Sequence, residues 1–261
     1  MRCSPLNRAL ALQEVILNPK SHTLFHFTKN KDTLLKILKG GFWPRYCLED
    51  ISWQGYDGQD FVAHPMVCFC DIPLSRIDEH VDFYGMYGVG VTKEWAEINK
   101  ITPVQYISNN NHLKKTFQDL INVSSNLNKE EAKQFLHNFR YLLAHIKPTQ
   151  GRMLVDGLSV DKEFYQESEW RCVPKHPEKL DHLTKEMFDS YETLSNANKV
   201  TFDNCRLKIT PNDIKYIFVK EDSDIPEVIN FIQSDLDEYS ASQVKILMSR
   251  VISLESIKKD I

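Results

Sequence analysis

The apolar positions of this chain switch repeatedly between a spacing of two and a spacing of three to four, and each switch marks a change of element. Residues 8–17, Arg-Ala-Leu-Ala-Leu-Gln-Glu-Val-Ile-Leu, predict a short helix that stops before Asn18-Pro19. Thr23 to Thr28 is rich in β-branched and aromatic residues and predicts a strand. Asp32 or Thr33 can cap a helix through Leu34, Leu35, Ile37 and Leu38, which Gly40-Gly41 ends. Residues 46–64 carry Gly55, Gly58 and several acids with little periodicity, and predict a surface loop able to cover a site. Pro65 to Asp71 predicts a buried strand, Ile72 to Ser75 a turn, and Arg76 to Tyr84 a short helix. A glycine-rich strand follows over 85–92, where the missing side chains leave room for another backbone or a ligand. A further strand is expected over 104–107.

From residue 112 the period lengthens. Leu113, Phe117, Leu120 and Ile121, then Phe135, Leu136, Phe139 and Leu142, predict a helical pair over about 112–146, inserted between strands. Strands resume near 153–155 and at 168–173. Residues 176–200 are polar and broken, and predict no long element. Leu207 to Pro211 and Lys215 to Val219 predict strands, Pro226 opens a helix, and 244–257 predicts a helix broken near Ser253.

Composition narrows the class. Apolar residues are 42% and charged residues 26%, as in ordinary soluble domains. A net charge of −4 excludes a global basic field of the kind that captures nucleic acid non-specifically. The six cysteines form no C-x-x-C pair, so zinc-ribbon spacing is absent and buried free thiols are expected. No apolar run approaches the roughly 18 residues of a membrane span, and the N-terminus is a poor signal peptide. A cytoplasmic protein with no membrane partner is the expectation. Walker, Rossmann, H-E-x-x-H and G-x-S-x-G motifs are all absent.

Four constellations carry candidate chemistry. Tyr165-Gln166-Glu167-Ser168-Glu169-Trp170-Arg171 holds two acids two residues apart; in an extended segment they face the same space, with Arg171 below. Such carboxylates can hold ribose hydroxyls and stabilise positive charge growing at an anomeric carbon; the alternative is a solvated edge strand. His26-Phe27-Thr28 offers a ring nitrogen and a hydroxyl on one face, with a structural histidine as the plain alternative. Phe69, with Ser75 and Tyr84 downstream, can frame a stacking pocket or simply fill the core. Arg140-x4-His145 matches the pair of a class of helical ribonucleases, but five residues along a helix set the two side chains about 140° apart. Lys114, Lys115, Lys133, Arg140 and Lys147 are the nearest thing to a basic patch, unless they form an ordinary solvated helix face.

The order H-F-T strand, G-G-F helix stop, C-F-C-D strand and late E-x-E strand resembles the ADP-ribosyltransferase superfamily. More closely, Leu24 to Thr28, Gly41 to Pro44, Pro65 to Ser75, Tyr84 to Trp95, Lys147-Pro148, Glu167 to Arg171 and Asp213 to Ile217 resemble the abortive-infection AbiGi family of bacterial phage-resistance proteins. The resemblance implies a single α+β domain with an ADP-ribosyltransferase-like split mixed β-sheet core, peripheral helices, the helical insert at about 112–146 and a C-terminal helical segment at about 226–261. It implies NAD as substrate, no metal, and a toxin that passes ADP-ribose to a macromolecule, with nucleic acid favoured over protein. His26 would hold the nicotinamide ribose with Phe27 and Thr28 beside it. Phe69, Ser75, Tyr84 or Tyr87 would line the nicotinamide pocket. Glu169 would be catalytic, with Glu167 orienting the acceptor and Arg171 pairing one of the two acids. No Ser-Thr-Ser triplet is present. Family members are also labelled antitoxins, so a catalytically inactive binding partner of a toxin is the alternative, and an Arg-x4-His ribonuclease a second one.

Overall fold

The structure is a computed structural model that describes residues 22–54, 60–108, 111–155 and 157–260. The helix expected at 8–17 lies outside them. In chain order, β1 (Thr23–Thr28) leads to α1 (Lys31–Gly40), β2 (Arg45–Asp50), β3 (Phe61–Cys70), α2 (Asp78–Tyr84), β4 (Tyr87–Thr92) and α3 (Lys93–Ile98). Short strands β5 (Thr102–Pro103) and β6 (Gln105–Ile107) precede the helical pair α4 (Asn111–Ser124) and α5 (Lys129–Leu143). Then come β7 (Ile146–Pro148), the hairpin β8 (Gln150–Val155) and β9 (Leu158–Glu163), and β10 (Glu169–Cys172). The rest is β11 (Leu183–Thr184), α6 (Lys185–Asp189), α7 (Tyr191–Asn204), β12 (Ile214–Val219), α8 (Ile225–Asp235), α9 (Ala241–Met248), β13 (Val251–Ser253) and α10 (Leu254–Asp260).

The fold is α+β around a mixed sheet of order β13-β12-β4-β1-β3-β10-β5, with β2 and β11 also on β3. Alternation along the strands sorts side chains to two faces. Leu24, Val67, Phe69, Val89, Val91, Ile217 and Val219 meet α1, α3, α8 and α9 on one face. Phe25, Phe27, Cys70 and Phe218 meet α2 and α10 on the other. Gly88 and Gly90 belong to the second face, and their missing side chains are filled from within. A Cβ at Gly88 would lie 2.5 Å from the Phe27 ring, and one at Gly90 3.0 Å from Phe25. The space that the sequence offered to a ligand therefore receives two phenylalanines.

The long strand β3 changes partners part-way. Phe61 to Met66 pairs with β2, and Val62 and Ala63 also pair with β11. Val67 to Cys70 pairs with β10, and Cys70 alone is matched to Phe25 of β1. Pro65, which has no N–H to donate, sits between the β11 and β10 registers, where β3 has a single neighbour.

Three sequence expectations change. The loop foreseen at 46–64 is largely the β2–β3 pair. The polar stretch at 176–200 contains α6 and most of α7, whose inner face carries Asn198 and Thr201 and so hides the apolar period. Those groups are satisfied internally: Trp43 Nε1 donates to the Asn198 carbonyl at 3.0 Å, and the Tyr46 N–H to Asn198 Oδ1 at 3.0 Å. The strand expected at 207–211 reduces to one bridge, Leu207 with Phe42, and the break near Ser253 is the parallel edge strand β13.

That bridge fixes the end of α1. Gly41 has φ 79°, and a Cβ there would stand 2.1 Å from the Leu207 carbonyl oxygen. Gly41→Ala is expected to cost about 2 kcal/mol or more, from strain and the lost bridge, read as a lower urea midpoint at unchanged slope.

Candidate functional site

The site is assembled where β10 crosses β3. Glu169 stands opposite Cys70 and Arg171 opposite Cys68, so acid and guanidinium share one face, two residues apart. Glu167 does not lie on that strand. Phe164–Glu167 form a single 3-10 turn, and Ser168 takes the left-handed conformation at φ 43°, ψ 51°. The turn, rather than strand alternation, aims Glu167 towards the same cations as Glu169. Ser168 is tied down by its carbonyl, which accepts the Asp71 N–H at 3.1 Å.

Six charges close into a network. Arg171 grips Glu169 with two bonds, Nε to Oε1 at 2.6 Å and Nη2 to Oε2 at 3.2 Å. Its Nη2 also reaches Glu49 of β2 at 2.8 Å, and its Nη1 donates to the Ala144 carbonyl at 2.9 Å. Lys147 of β7 donates to Glu169 Oε2 at 2.8 Å and to Glu167 Oε2 at 3.3 Å. Lys162 of β9 pairs with Glu167 Oε1 at 2.6 Å and donates to the Tyr84 hydroxyl at 2.9 Å. Tyr84 in turn donates to Glu167. The Tyr106 hydroxyl accepts the Glu169 backbone N–H at 2.8 Å. Glu49, Glu167 and Glu169 thus balance Lys147, Lys162 and Arg171.

The network is buried: Arg171 is 0% exposed, Glu169 5% and Lys147 6%. Burial opposes the charged form of Glu169, yet Arg171 and then Lys147 outweigh it and hold the carboxyl well below the usual carboxylate range. Burial likewise opposes the Lys147 ammonium, and Glu169 followed by Glu49 reverses the effect and holds its pKa up. Lys162 moves the other way, pulled down by burial that Glu167 only partly offsets. The Tyr84 hydroxyl is pushed up by burial and by the Glu167 charge. Glu169, Lys147 and Arg171 are thus each held in the charged form.

Above the network a cleft of about 560 Å³ opens between α2 and the end of the β8–β9 hairpin. Glu167 forms part of its wall, and Ser75 lies exposed at its rim. Asp78, Glu79, Asp161 and Glu163 add four carboxylates to that of Glu167, against Arg76 and Lys162. His80 packs on Tyr84 at 4.5 Å between ring centres, and burial lowers its pKa to about 4.

The sequence candidates divide between two faces. Glu167, Glu169 and Tyr84 come together, and Phe27 borders them through His80, 5.7 Å away. Phe69 lies on the opposite face from Glu169, in the core at 2% exposure. His26 packs against it at 5.7 Å and against Phe42 at 5.2 Å, and its Nδ1–H donates to the Cys68 carbonyl at 2.8 Å. Burial lowers the His26 pKa, and that bond partly restores it. Thr28 ends β1 opposite Tyr87, whose hydroxyl donates to Asp224 at 3.1 Å rather than to any member of the network. Arg140 and His145 do not form a pair. Arg140 faces a groove on the flank of α5, while His145 lies past the helix end and donates from Nδ1 to the Tyr141 carbonyl at 2.8 Å.

The sequence reading missed Glu49, Lys162 and Tyr106, and placed Lys147 on the helical insert. Lys147 is instead a buried strand residue; its signal was a lone lysine between Ile146 and Pro148. Of the two acids that the sequence left open to it, Arg171 pairs with Glu169.

A family model described as "Putative abortive phage resistance protein AbiGi, antitoxin" matches residues 40–220, more than half of the chain. This chain belongs to the AbiGi family. The match spans β3, β10 and the ion network. An "Abortive phage resistance protein AbiGi" of Lactococcus lactis subsp. cremoris is 27% identical, over 84% of this chain and 99% of that relative. No solved structure matches the chain. Among the described residues no helix is long and apolar enough to cross a membrane, and Cys47, Cys68, Cys70, Cys172 and Cys205 are free thiols.

Removing one charge from this network leaves its partners buried and uncompensated. Glu169→Gln is therefore expected to lower stability by about 3–5 kcal/mol at pH 7 in urea unfolding. A carboxyl held below its ordinary range contributes stability above about pH 4.3, its unfolded value, and loses it as pH falls towards the folded value. The gap between wild type and Glu169→Gln should accordingly narrow as unfolding is repeated from pH 5 towards pH 3.

Proposed function

We propose that this AbiGi-family chain is a non-catalytic, antitoxin-type partner of a toxic protein in abortive phage resistance, working in the cytoplasm. The observation that carries the reading is the state of Glu169. Both of its oxygens are taken by Arg171 and Lys147. At 5% exposure it offers little to a ribose hydroxyl. The cleft points the same way. Its five carboxylates oppose the pyrophosphate of a dinucleotide and suit a basic segment of a partner protein. The description of the matching family as an antitoxin agrees with this reading. Five free thiols suit a reducing compartment.

One observation favours a second reading, an NAD-dependent ADP-ribosyltransferase of that superfamily's fold, with nucleic acid as acceptor. Strands β1, β3 and β10, bearing the H-F-T, C-F-C-D and E-W-R-C segments, lie side by side, and β1 pairs with β3 only at Phe25 and Cys70. In that reading His26 and Thr28 hold the ribose where the two strands part. Glu169 reaches the anomeric carbon after its cations shift.

Purified protein incubated with NAD, alone and with RNA, DNA or cell extract, separates the two. No nicotinamide above the buffer blank is expected. Nicotinamide release that is lost in Glu169→Gln, in protein still folded by circular dichroism, would replace the first reading by the second. Under the first reading, co-expression with the genes adjacent to its own recovers a toxic partner whose growth arrest this chain relieves. Glu79→Lys with Glu163→Lys is expected to weaken that complex at least tenfold.

A further inference from the structure

The β8–β9 hairpin pairs with no other strand, and its two outer edges differ. The phase of the hairpin follows from its open end, where the Phe164 N–H donates to the Thr149 carbonyl at 2.8 Å. Hydrogen-bonded pairs alternate along an antiparallel ladder, so Lys162, Val160 and Leu158 bond inward to β8. Ser159, Asp161 and Glu163 therefore turn their N–H and C=O groups outward on β9, as Arg152 does on β8. The outward Arg152 N–H is taken by Asp50 Oδ2 at 3.1 Å. Among the described residues no other strand or loop bonds to the outward groups of Ser159, Asp161 and Glu163.

This bare edge is the hairpin's wall of the cleft above Glu167, since Asp161, Lys162 and Glu163 line it and no residue of β8 does. Alternation gives the edge two sides. Asp161 and Glu163 lie on one. Neither they nor Glu79 of α2 has a cation within salt-bridge distance among the described residues. The other acids of the cleft are engaged, Glu167 by Lys147 and Lys162, and Asp78 at 3.5 Å from Lys258. Of the two cations that line the cleft, Lys162 is taken by Glu167, and Arg76 donates to Gln166 at 2.8 Å. On the other side of β9 stand Leu158, 72% exposed, and Val160, 39% exposed, opposite Val155 and Met153 of β8. Charges on an edge strand ordinarily serve only to keep other strands off. Here they accompany an unbonded ladder, an apolar alternate row and a concavity alongside.

Taking the cleft as a partner surface, as in the first reading above, we propose that β9 receives an extended basic segment of the partner protein as a third strand of the hairpin. Backbone bonds to Ser159, Asp161 and Glu163 supply the affinity, and side chains set the sequence. In antiparallel addition, the residues opposite Asp161 and Glu163 share their side and are basic, and those opposite Leu158 and Val160 are apolar. A second copy of this chain fits poorly. With β9 laid antiparallel on β9 about Asp161, that acid meets its own copy, and about Lys162, Asp161 meets Glu163.

The test is fluorescence anisotropy of the full chain with a labelled peptide, Arg-Thr-Arg-Val-Thr-Val, whose arginines fall opposite Glu163 and Asp161. The same composition in the order Arg-Arg-Val-Val-Thr-Thr is expected to bind at least tenfold more weakly, because it keeps the charge and loses the alternation. N-methylation at the second arginine and second threonine, whose N–H groups face β9, should abolish binding. N-methylation at the first threonine and first valine, whose N–H groups face away, should leave it unchanged. Ser159→Pro removes an outward N–H without touching a charge, and is expected to lower affinity at least tenfold, while Ser159→Ala has no effect. Absence of peptide binding overturns the proposal. So does equal binding by the reordered peptide, or by the peptide methylated on the β9 side. Those results leave the partner reading of the cleft standing, since a basic surface that is not a strand still answers its charge; that reading falls to nicotinamide release instead.

Discussion

The Glu169–Arg171 ion pair is the interaction on which this structure turns. It sits on one short strand, yet its partners come from β2, β7 and the end of α5. Burying ions of this size costs several kcal/mol each before any pairing, so the arrangement holds only because every charge meets another and the remaining donors find carbonyls. Two hydrophobic side chains of similar volume would fill the same space with less risk. What the ions add is direction. Guanidinium and carboxylate meet in one geometry, and that geometry sets where β2, β7 and β10 lie relative to one another.

That fixing bears on how the acids are understood. A glutamate that serves chemistry needs an oxygen to spare, and Glu169 has both committed at short range. Glu167 is just as buried and has both oxygens engaged too, one by Tyr84 and Lys162 and the other by Lys147, but it also borders the cleft. Of the two acids, Glu167 forms part of the cleft wall and Glu169 does not line it. Placement on adjacent strands keeps the transferase reading in contention, because H-F-T, C-F-C-D and E-W-R-C are neighbours despite lying far apart in sequence.

Much of the fold was legible in residue periodicity, and the failures have physical reasons. Thr23 to Thr28 and the strand at Ile217 showed as runs of β-branched and aromatic residues, buried on both faces, and the helices around Leu34 and Phe139 showed clear periods because one face of each is apolar. Helix α7 was hidden because its buried face uses Asn198 and Thr201, which hydrogen bonds rather than hydrophobicity hold inside. Glu167 and Glu169 were legible as a pair, but not the reason they converge: a left-handed serine leaves no periodic trace. Lys147 was illegible as a partner because the whole β8–β9 hairpin separates it from the two acids, 20 and 22 residues on, and Lys162 because β9 carries no apolar period to mark which way it faces. His26 and Phe69 carried the right residue types, but strand alternation turns Phe69 away from Glu169, which the motif order could not reveal.

The change of partners along β3 has a consequence for the architecture. Its first half belongs with β2, β11 and the α6–α7 helices, and its second half with β1 and β10. Pro65 marks the seam. One continuous backbone and the Glu49–Arg171 pair span that seam, the first covalent and the second reversible. The molecule therefore resembles two leaves on a single spine with an electrostatic clasp, and where the leaves meet, at a proline, the spine is braced on one side alone.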